Sequence, residues 1–257
     1  MFSIFLRSLV FNVLFYVVIV FLALVAIPTL FMPVHALLTV VRWWSNATLF
    51  LMRTICNIKA EFRGVEKIPK GPLVIASKHQ SFWETFTIAA MVDRPIFILK
   101  RQLIYIPVFG QLLTKAGVIA IDRSAGGKVL VDMTRRARAA VQSGCQLVIF
   151  PEGTRRAAGA PAKYKTGVSH LYSACDVPCL PVAVNSGLFW PRRTFMRYPG
   201  TVVMEFLDPV PPGLPKDEFI ARVRTEIEEA TGRIVEAGRR EQEQLLGSAP
   251  GYMPSGD

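Results

Sequence analysis

Apolar side chains run almost unbroken from residue 9 to residue 32, with no charge among them. About 20 such residues cross the hydrocarbon core of a bilayer as a helix. Pro33 interrupts the run, and residues 34–58 resume it with Arg42, Trp43, Trp44 and Arg53 interleaved. Trp and Arg suit the headgroup level. The pattern predicts a membrane-anchoring helical segment over residues 1–60. Two arrangements fit it: a spanning first helix with a surface-lying second, or a hairpin of both in one leaflet. The positive flank of Arg42, Arg53, Lys59 and Arg63 outweighs Arg7. That balance places the remainder of the chain on the cytoplasmic side.

From Glu61 the rhythm changes. Short apolar, β-branched runs at 73–77, 96–99, 118–121, 147–150, 179–184 and 202–207 read as strands. Helical patterns at 82–92, 127–142 and 167–175 lie between them, and 216–237 carries an apolar stripe of Phe219, Ile220, Val223, Ile227 and Ile234. Strands alternating with helices predict an α/β domain over residues 61–245, its mainly parallel sheet flanked by helices. Residues 246–257 are rich in Gly, Ser and Pro and are expected to be disordered.

Composition narrows the partners. The 257 residues carry a net charge of +11. A basic excess favours anionic partners, yet the arginines are scattered rather than interleaved with aromatics as in a nucleic-acid module. A phospholipid surface is the better match, and nucleic acid is not expected. The four cysteines, Cys56, Cys145, Cys175 and Cys179, have no paired metal-site spacing. They read as reduced packing residues, and no metal is expected.

Candidate chemistry gathers where strands end. Ser77-Lys78-His79-Gln80-Ser81-Phe82-Trp83-Glu84 joins a strand to a helix, the position where open α/β sheets bind ligands. On one continuous helix His79 and Glu84 would lie about 140° apart. They meet only if His79 sits in the turn and Glu84 in the first helical turn. The carboxylate then orients the imidazole, which takes a proton from a hydroxyl supplied by substrate. Ser81-x-x-Glu84 is equally a capping box, a purely structural use of Glu84. Phe150-Pro151-Glu152-Gly153-Thr154-Arg155 follows another strand. Gly153 allows close backbone approach, and Arg155 offers a planar fork suited to phosphate. Lys100-Arg101 and Arg123 close two further strands. In a parallel sheet His79, Lys100, Arg123 and Arg155 share one edge, where a base and several cations suit an anionic, hydroxyl-bearing substrate.

Taken together these motifs resemble the glycerolipid acyltransferases, and most closely the 1-acylglycerol-3-phosphate acyltransferases. The family's His-x4-Asp motif is similar to His79-x4-Glu84, and its Phe-Pro-Glu-Gly-Thr-Arg motif stands complete at 150–155. Lys100-Arg101 ahead of Ile106-Pro107-Val108-Phe109-Gly110, the Ile121-Asp122-Arg123 strand end and Leu180-Pro181-Val182 resemble the remaining motifs in order. The departure is Glu84 where the family has Asp.

The resemblance implies acyl transfer from an acyl thioester, of coenzyme A or acyl carrier protein, to the sn-2 hydroxyl of 1-acylglycerol 3-phosphate, without an acyl-enzyme. His79 and Glu84 are the implied catalytic pair. Lys100, Arg101, Arg123, Glu152, Gly153, Thr154 and Arg155 are the implied acceptor-phosphate site, and backbone N–H groups near the His79 turn the implied oxyanion donors. No cofactor is implied beyond the thioester co-substrate. The setting implied is a bilayer, the bacterial inner membrane with the domain on its cytoplasmic face. Glu84 keeps a different lyso-lipid acceptor open, such as a lyso-ornithine lipid; a non-catalytic lipid-binding relative is a further alternative, against which the retained His79 and Glu84 argue. No Gly-x-Ser-x-Gly elbow supports a hydrolase.

Overall fold

The computed structural model of the protein describes residues 1–122 and 127–253. Helix α1 (Phe2–Ala26) continues through a 3-10 turn (Ile27–Phe31) and turns back at Pro33 into α2 (Val34–Cys56). The two form an antiparallel hairpin: Arg7 at one end lies near Cys56, and Ala26 at the other packs with Leu37 and Val40. The run from Phe2 to Phe31 is long and apolar enough to cross a membrane.

The rest of the chain forms a seven-stranded sheet: β1 (Ile58–Arg63), β2 (Leu73–Ser77), β3 (Pro95–Lys100), β4 (Ile119–Ile121), β5 (Gln146–Ile149), β6 (Cys179–Val184) and β7 (Gly200–Phe206). Their spatial order is β1-β7-β6-β2-β5-β3-β4. All neighbours pair parallel except β6 and β7. The sheet is thus mainly parallel, as the alternation of elements predicts.

Successive side chains of a strand point to opposite faces. Leu73 and Ile75 of β2, Val148 of β5 and Leu180, Val182 and Val184 of β6 therefore enter one core, shared with α1, α2 and α3 (Trp83–Met91). Val74, Ala76, Leu147 and Cys179 enter the other. That second core lies under α5 (Gly127–Gln142), α6 (Gly167–Cys175) and α8 (Lys216–Leu246). A 3-10 turn (Arg101–Tyr105), α4 (Phe109–Lys115) and the short α7 (Ser186–Phe189) complete the chain order.

Three expectations change. The domain begins at Ile58 rather than Glu61, because Asn57 caps α2 in the left-handed conformation and the chain turns directly into β1. The last helix runs to Leu246 rather than stopping near 237. Gly238 continues it, and Gly247 in the left-handed region ends it. The C-terminal segment, expected to be disordered, is packed as far as Met253. Gly251 is buried, with no room for a Cβ against Leu188, and the Met253 N–H donates to the Ala158 carbonyl at 2.9 Å. Residues 254–257 and Arg123 lie outside the described residues.

Candidate active site

β2, β5, β3 and β4 run parallel, so their carboxyl ends share one edge of the sheet. His79 follows β2 at this edge, on a turn, and Glu84 stands in the first turn of α3. His79 Nδ1 lies 2.9 Å from Glu84 Oε1. The same oxygen accepts the N–H groups of Gln80 and Ser81, both at 2.7 Å. Glu84 therefore reaches back to the Ser81 N–H, as the capping-box spacing suggests, and also holds the histidine ring, although the helix itself begins one residue later, with Phe82 at its N-cap and no side-chain cap there. Its other oxygen accepts Ser186 Oγ–H at 2.8 Å. A fully buried carboxylate is expensive unless its lone pairs are satisfied, and here four donors satisfy Glu84. The His79 ring stacks on Phe150, centroids 3.8 Å apart, which fixes the ring plane. With Nδ1 turned to the carboxylate, Nε2 is the nitrogen left for a substrate proton.

The 150–155 segment forms the adjoining lip. Gly153 adopts φ +66° and its N–H bonds the Phe150 carbonyl at 2.9 Å, making a tight turn. Thr154 and Arg155 are exposed. Glu152 is not where an acceptor phosphate can meet it. It is 2% exposed and points inward, Oε2 accepting the His79 N–H at 3.0 Å and Oε1 lying 3.0 Å from Lys78 Nζ. Burial is the larger influence on Glu152 and holds its carboxyl above the usual carboxylate range, with Lys78 opposing. Lys78 also pairs with Glu228 of α8 at 2.7 Å, and Tyr164 O–H donates to Glu228 at 2.9 Å. A buried charge network thus ties β2, the 150–155 turn and α8 together beneath His79.

Lys100 and Arg101 are exposed at the carboxyl end of β3, the second strand over from β2. The expectation that N–H groups of the His79 turn stabilise an oxyanion fails at three positions. Those of His79, Gln80 and Ser81 are already taken by Glu152 and Glu84. Two further cations adjoin the site. Lys165 lies across Gly153, where an added Cβ would meet its side-chain carbons at 3.1 Å. Arg192 Nη1 donates to the Arg155 carbonyl. Lys165 stands two residues ahead of α6 within Tyr164-Lys165-Thr166-Gly167, at the end of a long loop rather than of a strand; nothing local marks Arg192.

Beside the histidine turn, an apolar cavity of about 260 Å³ opens between the helical hairpin and the domain. Phe82, Thr85 and Phe86 of the His79–α3 segment line one wall, and Leu22, Ala26 and Trp44 of the hairpin another. β3 and α4 close it with Phe97, Leu99 and Leu112.

Residues 59–185 match the family model described as Acyltransferase. The chain carries an acyltransferase-family domain. The site just described falls within it, apart from Ser186, Arg192, Glu228 and the hairpin wall of the cavity. The chain is 39% identical over 163 residues to the 1-acyl-sn-glycerol-3-phosphate acyltransferase of Pseudomonas aeruginosa, covering 63% of each. It is 30% identical over 177 residues to 1-acyl-sn-glycerol-3-phosphate acyltransferase alpha of Homo sapiens, covering 67% of this chain and 62% of that one. The chain thus spans a little over three fifths of the length of these relatives. The crystal structure of the 1-acyl-sn-glycerophosphate acyltransferase PlsC from Thermotoga maritima superposes with a TM-score of 0.72 at 20% identity. That match covers 89% of this chain and 97% of the other. It shows that this chain shares that overall fold.

Proposed function

We propose that the protein transfers a fatty acyl group from an acyl thioester to the sn-2 hydroxyl of 1-acylglycerol 3-phosphate, giving phosphatidic acid. The observation that carries this reading is the His79–Glu84 pair at 2.9 Å, set between an apolar cavity and the Gly153 turn with its exposed Arg155. The activity for which the Pseudomonas aeruginosa and Homo sapiens relatives are named supports it. His79 Nε2 removes the hydroxyl proton as the oxygen attacks the thioester carbonyl. Glu84 stabilises the imidazolium that forms. The tetrahedral adduct then collapses, the C–S bond breaks, and the imidazolium returns the proton to the departing thiolate. The acceptor phosphate meets Arg155, with Lys100, Arg101 and Thr154 at the same sheet edge; Arg123 is proposed with them on its motif alone. Glu152 acts from below, fixing the His79 backbone rather than touching phosphate. The acyl chain lies in the apolar cavity, whose hairpin wall opens toward lipid.

The hairpin supports a membrane-surface setting. Phe2, Phe21 and Phe31 are 81%, 61% and 91% exposed, part of a large apolar face with no protein cover. The opposite face of α1 is docked: Asn12 Nδ2 donates to the Phe195 carbonyl at 2.9 Å, and Ser8 Oγ accepts the Arg197 N–H at 2.8 Å. A helix bound along one side to a polar domain is placed to enter one leaflet, not to cross. The positive flank points to the cytoplasmic face of a bacterial inner membrane.

The test is acyl transfer in detergent micelles from acyl-coenzyme A or acyl carrier protein to 1-acylglycerol 3-phosphate, with His79→Ala alongside. A roughly 10²- to 10⁴-fold loss is expected for a general base. Undiminished turnover by the folded variant removes His79 from the chemistry. Transfer to a lyso-ornithine lipid in preference to the phosphate acceptor overturns the acceptor.

A further inference from the structure

We propose that Ser186 is a positioning residue for the His79–Glu84 pair, the group that lets a glutamate hold the histidine. The inference rests on the reading above only in taking His79 as the base. Glu84 Oε1 is occupied by three donors, the His79 ring and the N–H groups of Gln80 and Ser81. These fix one oxygen but not the plane of the carboxylate, which can still turn about the bond to its side chain. The fourth donor, Ser186 Oγ at 2.8 Å, fixes Oε2 and so sets the plane. Both residues are 0% exposed, so without the hydroxyl Oε2 has no water to replace it. A buried acceptor left unpaired drives its carboxylate to rotate or to gather a proton, and either weakens its hold on the ring.

Ser186 is itself held rigidly. The Gly187 N–H donates to Gln80 Oε1 at 2.9 Å, joining α7 to the histidine turn. A Cβ at Gly187 would stand 3.1 Å from the Ala158 nitrogen, so α7 sits closely against the loop that follows the Gly153 turn. Asn185 bonds the Val203 N–H at 2.7 Å and the Thr201 and Ile234 carbonyls at 3.2 Å, anchoring α7 to β7 and α8. The Ser186 hydroxyl is therefore a fixed point against which a longer acid reaches. An aspartate would withdraw the carboxylate by about one C–C bond, ~1.5 Å, and lose that contact.

The experiment compares Ser186→Ala, Glu84→Asp and the double variant in the full-length protein in micelles, using whichever donor and acceptor the wild type turns over. A wrong acceptor thereby overturns the function proposed above without deciding this inference. Ser186→Ala is expected to lower kcat roughly 10- to 100-fold, the rate equivalent of one lost hydrogen bond to a charged group. KM for both substrates stays unchanged. Ser186→Cys fills the same space with a weaker donor and falls between. In the Glu84→Asp background Ser186→Ala costs nothing further, because the contact is already gone. Wild-type kcat in Ser186→Ala overturns the proposal. So does an equal loss in both backgrounds, which would mean that Ser186 acts through packing and not through Glu84.

Discussion

Replacing Lys78 by Met tests whether the charge network under His79 is held by one cation. Lys78 is 1% exposed and faces Glu152 at 3.0 Å and Glu228 at 2.7 Å. Glu228 keeps 28% of its side-chain surface and can hydrate; Glu152 keeps none. Removing one partner of a buried pair usually costs about 3–5 kcal/mol, mostly for the charge left behind. Glu152 has an escape that sets a ceiling, since it can take up a proton. Its carboxyl starts from an ordinary value of 4.5, so protonation at pH 7 costs ~3.4 kcal/mol, about 1.36 per pH unit. For a chain of this size that is a fall of about 7–14 °C in Tm. The pH sign follows. Burial already raises the Glu152 pKa, and losing Lys78 raises it further. A carboxyl raised in the folded state binds a proton more tightly there than in the unfolded chain. Its deficit is largest at pH 7 and closes as pH falls toward 4.5. The assay is thermal unfolding in micelles, followed by tryptophan fluorescence at pH 7, 6 and 5. Lys78→Met/Glu152→Gln, which removes the stranded charge, is expected to regain most of the loss at pH 7. A Lys78→Met deficit under about 1 kcal/mol, or one that does not narrow on acidification, refutes the reasoning.

Arg155→Ala is expected to raise KM for the phosphate acceptor about tenfold or more, the loss of one charge-assisted contact, with little change in KM for the thioester. Acceptor dependence equal to wild type would remove Arg155 from the phosphate site. Alkylation of the native protein at pH 8, mapped by mass spectrometry, is expected to label Cys145, which is partly exposed, before the other cysteines of the domain. Burial pushes the Cys175 thiol up to about 11 and the Cys179 thiol higher still. Early labelling of Cys179 would contradict its place between β2 and α8.

Much of the fold is legible because its signals are local. β2 and β6 are unbroken apolar runs, as strands buried on both faces must be, and their ends coincide with the runs. β1 escaped because it follows α2 without a break. Its own signal was present, Ile58, Ala60 and Phe62 alternating with Lys59, Glu61 and Arg63. The C-terminus escaped for a different reason. Its composition argues against a core of its own, yet Gly251 needs none. It lies against Leu188, and Arg239 stands 5.9 Å over the Tyr252 ring.

The site divides along the same line. His79 and Glu84 lie five positions apart, one on the turn after β2 and the other in the first turn of α3, so their meeting follows once strand and helix are placed. The helix-start bond and the hold on His79 are not competing uses of Glu84. The carboxylate has two oxygens, and Oε1 serves helix and histidine at once. What cannot be read from spacing is what holds that arrangement from behind. Glu228 reaches Lys78 across 150 residues and Ser186 reaches Glu84 across 102. No motif marks either, since a serine after a strand and a glutamate on a charged helix are ordinary in isolation. Glu152 shows the consequence. Its place inside a phosphate-binding motif suggests contact with substrate. Only the three-dimensional neighbourhood, with Lys78 on one oxygen and the His79 N–H on the other, makes it a support for the His79 backbone. With the acidic member turned inward, Thr154 and Arg155 are the exposed side chains of the motif.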